Sequence, residues 1–165
     1  MDDLKQATLS AATRPDLRAA VEALYAQLAQ DIAARKPRCD ASGKCCHFDA
    51  YGHRLYITTA ELATFVHSVQ HHPVAPTPPP PPPTHLAILN PQSGGCPYQV
   101  DNLCSVHPIR PFGCRIFFCD PSATAWQQDR YEHYHAQIKR LHAQFDVPYY
   151  YVEWRAALRA LDLLP

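Results

Sequence analysis

Seven cysteines constrain this chain more than any other feature, because every one of them lies between Cys39 and Cys119. Residues 1–38 and 120–165 contain none. Spread over 165 residues the number is modest, but within 39–119 it nears the roughly 8–10% density of a disulfide-rich scaffold. Seven is odd, so disulfides alone cannot use all of them. The chain opens on Met1-Asp2-Asp3-Leu4, acidic where a secretory signal is basic, and no apolar run follows. A cytoplasmic location is therefore expected, and clustered thiols in a reducing compartment read as metal ligands or catalytic groups. No run approaches 18 consecutive apolar residues, so no membrane span is expected. Lys+Arg and Asp+Glu are equal at 15 each, which supplies no excess charge for gripping nucleic acid or an acidic membrane.

The cysteine-free ends carry helical periodicity. Leu17, Val21, Leu24, Leu28 and Ile32 step by three and four, which predicts a helix over 14–36. Thr13 is its expected N-cap, Pro15 suits the first turn, and Pro37 ends it. Thr58-Thr59-Ala60-Glu61 has the form of a capping box and predicts a second helix with Leu62, Phe65 and Val66 on its apolar face. From about Ser122 the series Tyr131, Tyr134, Ile138, Leu141, Phe145 predicts a third, broken at Asp146-Val147-Pro148. Trp154, Leu158 and Leu161 predict a fourth. Short extended pieces are expected near Cys46–Phe48, Arg54–Ile57 and His85–Leu89, with a turn at Tyr51-Gly52-His53. Residues 71–84, including Pro78 to Pro83, read as a stiff proline-rich insertion. Such a run is also what SH3- and WW-type domains bind, so a partner domain is a second reading for it. The expected fold is mainly α: one small domain, 1–165, of about four helices around an irregular cysteine-rich, metal-binding loop core with minor β-hairpin content.

The thiols fall in two segments, Cys39-x5-Cys45-Cys46 and Cys96-x7-Cys104-x9-Cys114-x4-Cys119, with His107 three residues after Cys104. Thiolates are soft anionic ligands that suit zinc and iron–sulfur clusters. Seven cysteines and His107 would fill two tetrahedral zinc sites, yet C-x2–4-C knuckles are scarce here. A [4Fe–4S] cluster would use four cysteines and leave three, on a spacing unlike the usual ferredoxin runs. Both metals therefore stay open. Neighbouring side chains of an extended strand face opposite ways, so Cys45-Cys46 either flank two centres or sit on a sharp turn around one. A disulfide between them would be strained. Four thiolates around zinc or a [4Fe–4S] core leave about −2 of charge, which Lys44, Arg110 and Arg115 lie close enough in sequence to offset. A Cys104/His107 nucleophile pair is a weaker enzymatic reading.

The segment Cys96-Pro97-Tyr98 through Asp101-Asn102-Leu103-Cys104-Ser105-Val106-His107-Pro108-Ile109-Arg110-Pro111-Phe112-Gly113-Cys114-Arg115-Ile116-Phe117-Phe118-Cys119, preceded by Cys45-Cys46, resembles the YkgJ-type cysteine-cluster family. That family is also described as the CxxCxxCC, zinc- or iron-chelating domain. Arg110-Pro111-x-x-Cys114-Arg115-x-Phe117-x-Cys119 is its most specific stretch, and the resemblance covers about residues 37–120. It implies that Cys39, Cys45, Cys46, Cys96, Cys104, Cys114 and Cys119 chelate iron or zinc, in proteins often described as iron–sulfur proteins or oxidoreductases. The chain departs from the pattern in its sparse first segment and its proline insertion. A related domain occurs in methyl-transferring flagellin lysine methylases, but no glycine-rich nucleotide loop is present here. The sequence thus predicts an iron–sulfur protein with a redox or group-transfer role, with a non-catalytic zinc module as the alternative. A protein or small-molecule partner is expected, but its identity is not legible.

Overall fold

Leu17, Val21, Leu24 and Leu28 lie on one stripe of a helix, and all four are buried. The structure, a computed structural model, describes residues 1–71 and 94–164. The expected strand at His85–Leu89 and the run Pro78 to Pro83 lie outside the described residues. Six helices are present among those described: α1 (Asp2–Ala12), α2 (Pro15–Arg35), α3 (Thr59–His71), α4 (Phe112–Ile116), α5 (Thr124–Gln144) and α6 (Trp154–Ala160). Four short strands accompany them: β1 (Tyr56–Thr58), β2 (Gln99–Val100), β3 (Leu103–Cys104) and β4 (Tyr151–Glu153). The architecture is mainly helical, as the periodicity predicts.

Four helices match the expected four, and two are additions. α1 was not legible because its sequence is polar and buries only Leu4, Thr8 and Ala11. Helices this short draw their stability from tertiary packing, here against α3. Thr13 closes α1, its hydroxyl donating to Ser10 O at 2.8 Å, and Arg14 takes the N-cap of α2. The expected cap is thus one residue early. α4 is a single turn whose position depends on a partner far away in sequence.

α3 is the central helix. Every residue from Thr59 to Val66 is buried, so it packs on two sides. One core cluster joins it to α2, α4 and α5 through Leu17, Val21, Leu28, Phe112 and Ile138. The other joins it to α6 and the cysteine loops through Phe48, Phe65, Tyr98 and Trp154, with Cys46 and Cys96 inside the same cluster. The capping box forms as the sequence predicts: Glu61 Oε2 accepts from Thr58 N at 3.1 Å and Thr58 Oγ1 at 2.8 Å. The α3 start is also tied to α5, since Ala60 N donates to His142 Nε2 at 3.4 Å. An accepting Nε2 leaves the His142 proton on Nδ1, which donates to Val147 O at 3.1 Å.

β1 pairs antiparallel with β4, and Ile57 lies opposite Val152. β2 and β3 form a hairpin, with Gln99 opposite Cys104. Asp101 and Asn102 at its turn both have positive φ, 47° and 63°, which is the type I′ geometry that matches strand twist. The expected extended piece at Cys46–Phe48 is instead a turn, because Cys46 N closes back onto Gly43 O at 2.9 Å.

Candidate metal centre

Three segments carry the thiols into one place. The first is a 3₁₀ turn, Lys44–Cys46, entered through Gly43 in the left-handed region at φ 72°. The second is the Cys96 turn and the β2–β3 hairpin that follows. Cys96 N donates to Cys46 O at 2.6 Å, Gln99 Nε2 to Gly43 O at 3.0 Å, and both Ser105 N and Oγ to Tyr98 O. The third is α4, which carries Cys114. Of the two backbone forms open to Cys45-Cys46, extended or turned, the structure has the turn.

Cys46 is the hub of that group. It lies in one packed cluster with Cys96, and Cys104 and Cys114 pack against that cluster. Sulfur acceptors around it push the Cys46 thiol well above its ordinary range, while donation from Cys46 holds Cys45, Cys96 and Cys104 low. Cys114 completes the set: burial, then the charges of Cys96 and Cys104, push its thiol up. Cys46 and Cys96 are buried, Cys104 and Cys114 half-buried, and Cys45 exposed. All seven cysteines are free thiols. Among the described residues no three His, Cys, Asp or Glu side chains stand in metal-ligating geometry.

The other predicted residues divide. Arg110 is the cation of the group, its charge favouring the thiolates of Cys45, Cys104 and Cys114, and its Nε is buried without a hydrogen-bond partner. Arg115 turns the other way. Its guanidinium lies 4.3 Å from the Tyr25 ring centroid and Nη2 donates to Pro108 O at 2.8 Å, so it braces the loop. Lys44 is exposed over the Tyr51 ring at 5.7 Å. His107 is exposed, and the charges that act on it are those of Arg110 and Arg115. Cys39 is exposed and Cys119 half-buried, and neither belongs to the packed cluster of Cys46 and Cys96. Arg38 N donates to Asp120 Oδ2 at 3.0 Å, which ties the two segments bearing them together. Cys119, Cys45 and Cys114 line one side of a pocket of about 620 Å³, with Phe117, Tyr131 and Tyr151 also on its wall.

Three supports were not legible in the sequence. Glu61 Oε1 accepts from Phe112 N at 3.1 Å, which holds α4 and therefore Cys114. Arg155 donates to Gly94 O at 2.7 Å and to the Asp49 carboxylate, joining α6 to both cysteine loops. Trp154, read from its period as a core residue, packs edge-on against Phe65 in the cluster that also holds Cys46 and Cys96, its indole N–H buried without a hydrogen-bond partner. All three are long-range pairings with no local signature.

Gly43 has no room for a side chain. A Cβ there would lie 2.3 Å from Asn102 O and 2.7 Å from Gln99 Nε2, and the φ of 72° disfavours any L side chain. Gly43→Ala is therefore expected to push the β2–β3 turn off the Cys46 turn. Chemical denaturation should show a loss of more than about 1 kcal/mol; an unchanged midpoint would overturn this account of the turn.

Comparison with family models, curated proteins and solved structures returns no match, so the site is read from its own chemistry. No described helix is long and apolar enough to cross a membrane.

Proposed function

We propose that the chain holds an iron–sulfur centre, of the [4Fe–4S] kind, through Cys46, Cys96, Cys104 and Cys114, with Cys45 alongside, and serves a redox or group-transfer role in the reducing cytoplasm. The observation that carries this reading is the packing of Cys46, Cys96, Cys104 and Cys114, from three segments, in and against one buried cluster, with Cys45 next to Cys46 in the chain. The donor set suits the group: soft sulfurs, the Arg110 cation to offset their charge, and the buried N–H groups of Arg110, Arg115 and Trp154, which have no hydrogen-bond partner. The apolar cluster of Phe48, Tyr98, Val106 and Trp154 keeps water from one side, which protects a cluster and shapes its potential. When bound, such a cluster supplies one-electron transfer or a Lewis-acidic iron. The chain's own residues hold its cysteines, balance their charge and exclude solvent. This is the chemistry that the resemblance to the YkgJ-type family implies.

Anaerobic purification with iron, acid-labile sulfide and zinc analysis tests it. A brown protein with iron and sulfide in equal amounts is the expected result. A colourless protein with one or two equivalents of zinc would replace it with a non-catalytic zinc module that folds around its metal.

A further inference from the structure

Two pairs of stacked rings stand on the wall of the cavity of about 620 Å³. Tyr56 of β1 lies opposite Glu153, and Tyr151 of β4 opposite Thr58, so the two tyrosines are diagonal neighbours on one face of the strand pair. Their rings stack at 5.1 Å with 23° between planes, and the hydroxyls of Tyr151 and Tyr131 hydrogen-bond to one another. The second pair follows α4. Phe117 leaves that helix in an extended conformation and stacks on His53 at 5.2 Å and 17°. His53 Nε2 donates to Cys45 O at 3.0 Å, which fixes its ring. Tyr56, Phe117 and Tyr151 line the cavity, yet they are 41%, 43% and 39% exposed. Ordered rings left open to solvent at the edge of a cavity of this size mark a surface that a bound molecule covers.

We infer that this cavity binds a flat, uncharged heteroaromatic ring bearing carbonyl groups, of the flavin type, seated against the Phe117 and Tyr151 rings. Nothing in the site requires a metal, so it stands apart from the cluster reading above. The walls select for shape. Near-parallel ring pairs present flat π-faces on which another flat ring stacks, whereas an alkyl chain gains nothing from that order. The charges on the wall are already matched. Arg54 meets the Asp49 carboxylate at 3.5 Å, and Asp120 accepts from Arg38 N, Ser122 N and Ser122 Oγ. An ionic guest would find no counter-charge waiting for it. The hydrogen-bonding group is Gln127. Its Oε1 accepts from Phe118 N at 2.6 Å, so its NH₂ is the end left to donate. A donor amide on the wall calls for a carbonyl on the guest.

Riboflavin, uncharged and carbonyl-bearing, is the probe, and equilibrium dialysis in the dark against the full chain reads its binding whatever the metal content. The expected result is one saturable equivalent, with nuclear Overhauser contacts from the ring methyls of riboflavin to the Phe117 and Tyr151 ring protons. Phe117→Leu keeps an apolar side chain and removes the ring, so riboflavin should bind about tenfold more weakly. Tyr149→Ala removes an exposed tyrosine outside the cavity and should bind within twofold of the parent. No saturable binding, or contacts only to rings outside the cavity, would overturn the inference. Equal binding by Phe117→Leu would also overturn it, because the ring face would then do nothing. A dimer that buries these rings and excludes riboflavin would assign the surface to a second copy of the chain and overturn it too. Should Phe117→Leu not fold, as judged by far-UV circular dichroism, the contacts measured on the parent chain decide alone. Metal analysis of the same sample is read separately, so either proposal can fail without the other.

Discussion

Replacing Cys46 with serine is expected to reduce bound metal by roughly tenfold or more, the largest effect of any single cysteine. Cys46 is 6% exposed and lies in one packed cluster with Cys96, with Cys104 and Cys114 against it and Cys45 next to it in the chain. A serine hydroxyl is a hard donor with a shorter reach, so it offers neither the softness nor the position of a thiolate. The loss should be specific to metal. Metal-free Cys46→Ser keeps the turn that Cys46 N makes with Gly43 O and the bond that Cys46 O receives from Cys96 N, so its far-UV spectrum should match that of the metal-free parent. Cys39→Ser provides the contrast. Cys39 is exposed and outside the group of five, so its loss should leave most of the metal in place. Elemental analysis of the two variants purified side by side checks both statements. Wild-type metal content in Cys46→Ser would remove the hub from the site.

How much of this was legible follows from where each signal resides. The capping box at Thr58 and Glu61 is local, and it forms as written. The stripes of α2 and α5 are local too, and Leu17, Val21, Leu28 and Ile138 are fully buried. The cysteine list was legible as residue types, but its division was not. Spacing along the chain cannot tell that Cys114 packs against the cluster of Cys46 while Cys119 lines a pocket beside it, since that depends on how α4 docks. Lys44 and Arg115 were placed near the thiols by sequence distance alone. The folded chain directs Arg115 to Tyr25 and Lys44 to Tyr51, while Arg110 acts on Cys45, Cys104 and Cys114 and Arg115 also feels the charge of Cys114. Glu61 shows the same limit from the other side. Its role toward Thr58 was visible, but its role toward Phe112, fifty-one residues later, was not.

Substituting Glu61 is expected to have the largest effect on stability. Its carboxylate is 3% exposed and collects four donors: Thr58 N and Oγ1 on Oε2, and Phe112 N at 3.1 Å with Tyr25 OH at 3.4 Å on Oε1. One side chain thus joins β1, α2, α3 and α4. Glu61→Ala strands two backbone N–H groups that cannot turn to another acceptor, and a loss of about 3 kcal/mol or more follows. Glu61→Gln is the sharper test. Its amide offers one oxygen and one NH₂, so either Thr58 N or Phe112 N must face a donor. The hydroxyls of Thr58 and Tyr25 can rotate to accept, but a backbone N–H cannot. A loss of about 1–2 kcal/mol is expected from that one conflict. The pH dependence has a definite sign. Burial raises the Glu61 pKa above its ordinary 4.5, against the lowering effect of its donors. Between 4.5 and the raised value the folded chain keeps a proton that the unfolded chain releases. The contribution of this group is therefore fully present below 4.5 and is lost as pH rises through the folded value. Denaturation of metal-free protein across that range should show the slope in the parent and its absence in Glu61→Gln. Displacement of α4 is also expected to loosen Cys114, so Glu61→Gln should bind metal more weakly although residue 61 touches no sulfur. A variant equal to the parent in both stability and metal content would show that α4 is held by its apolar contacts alone.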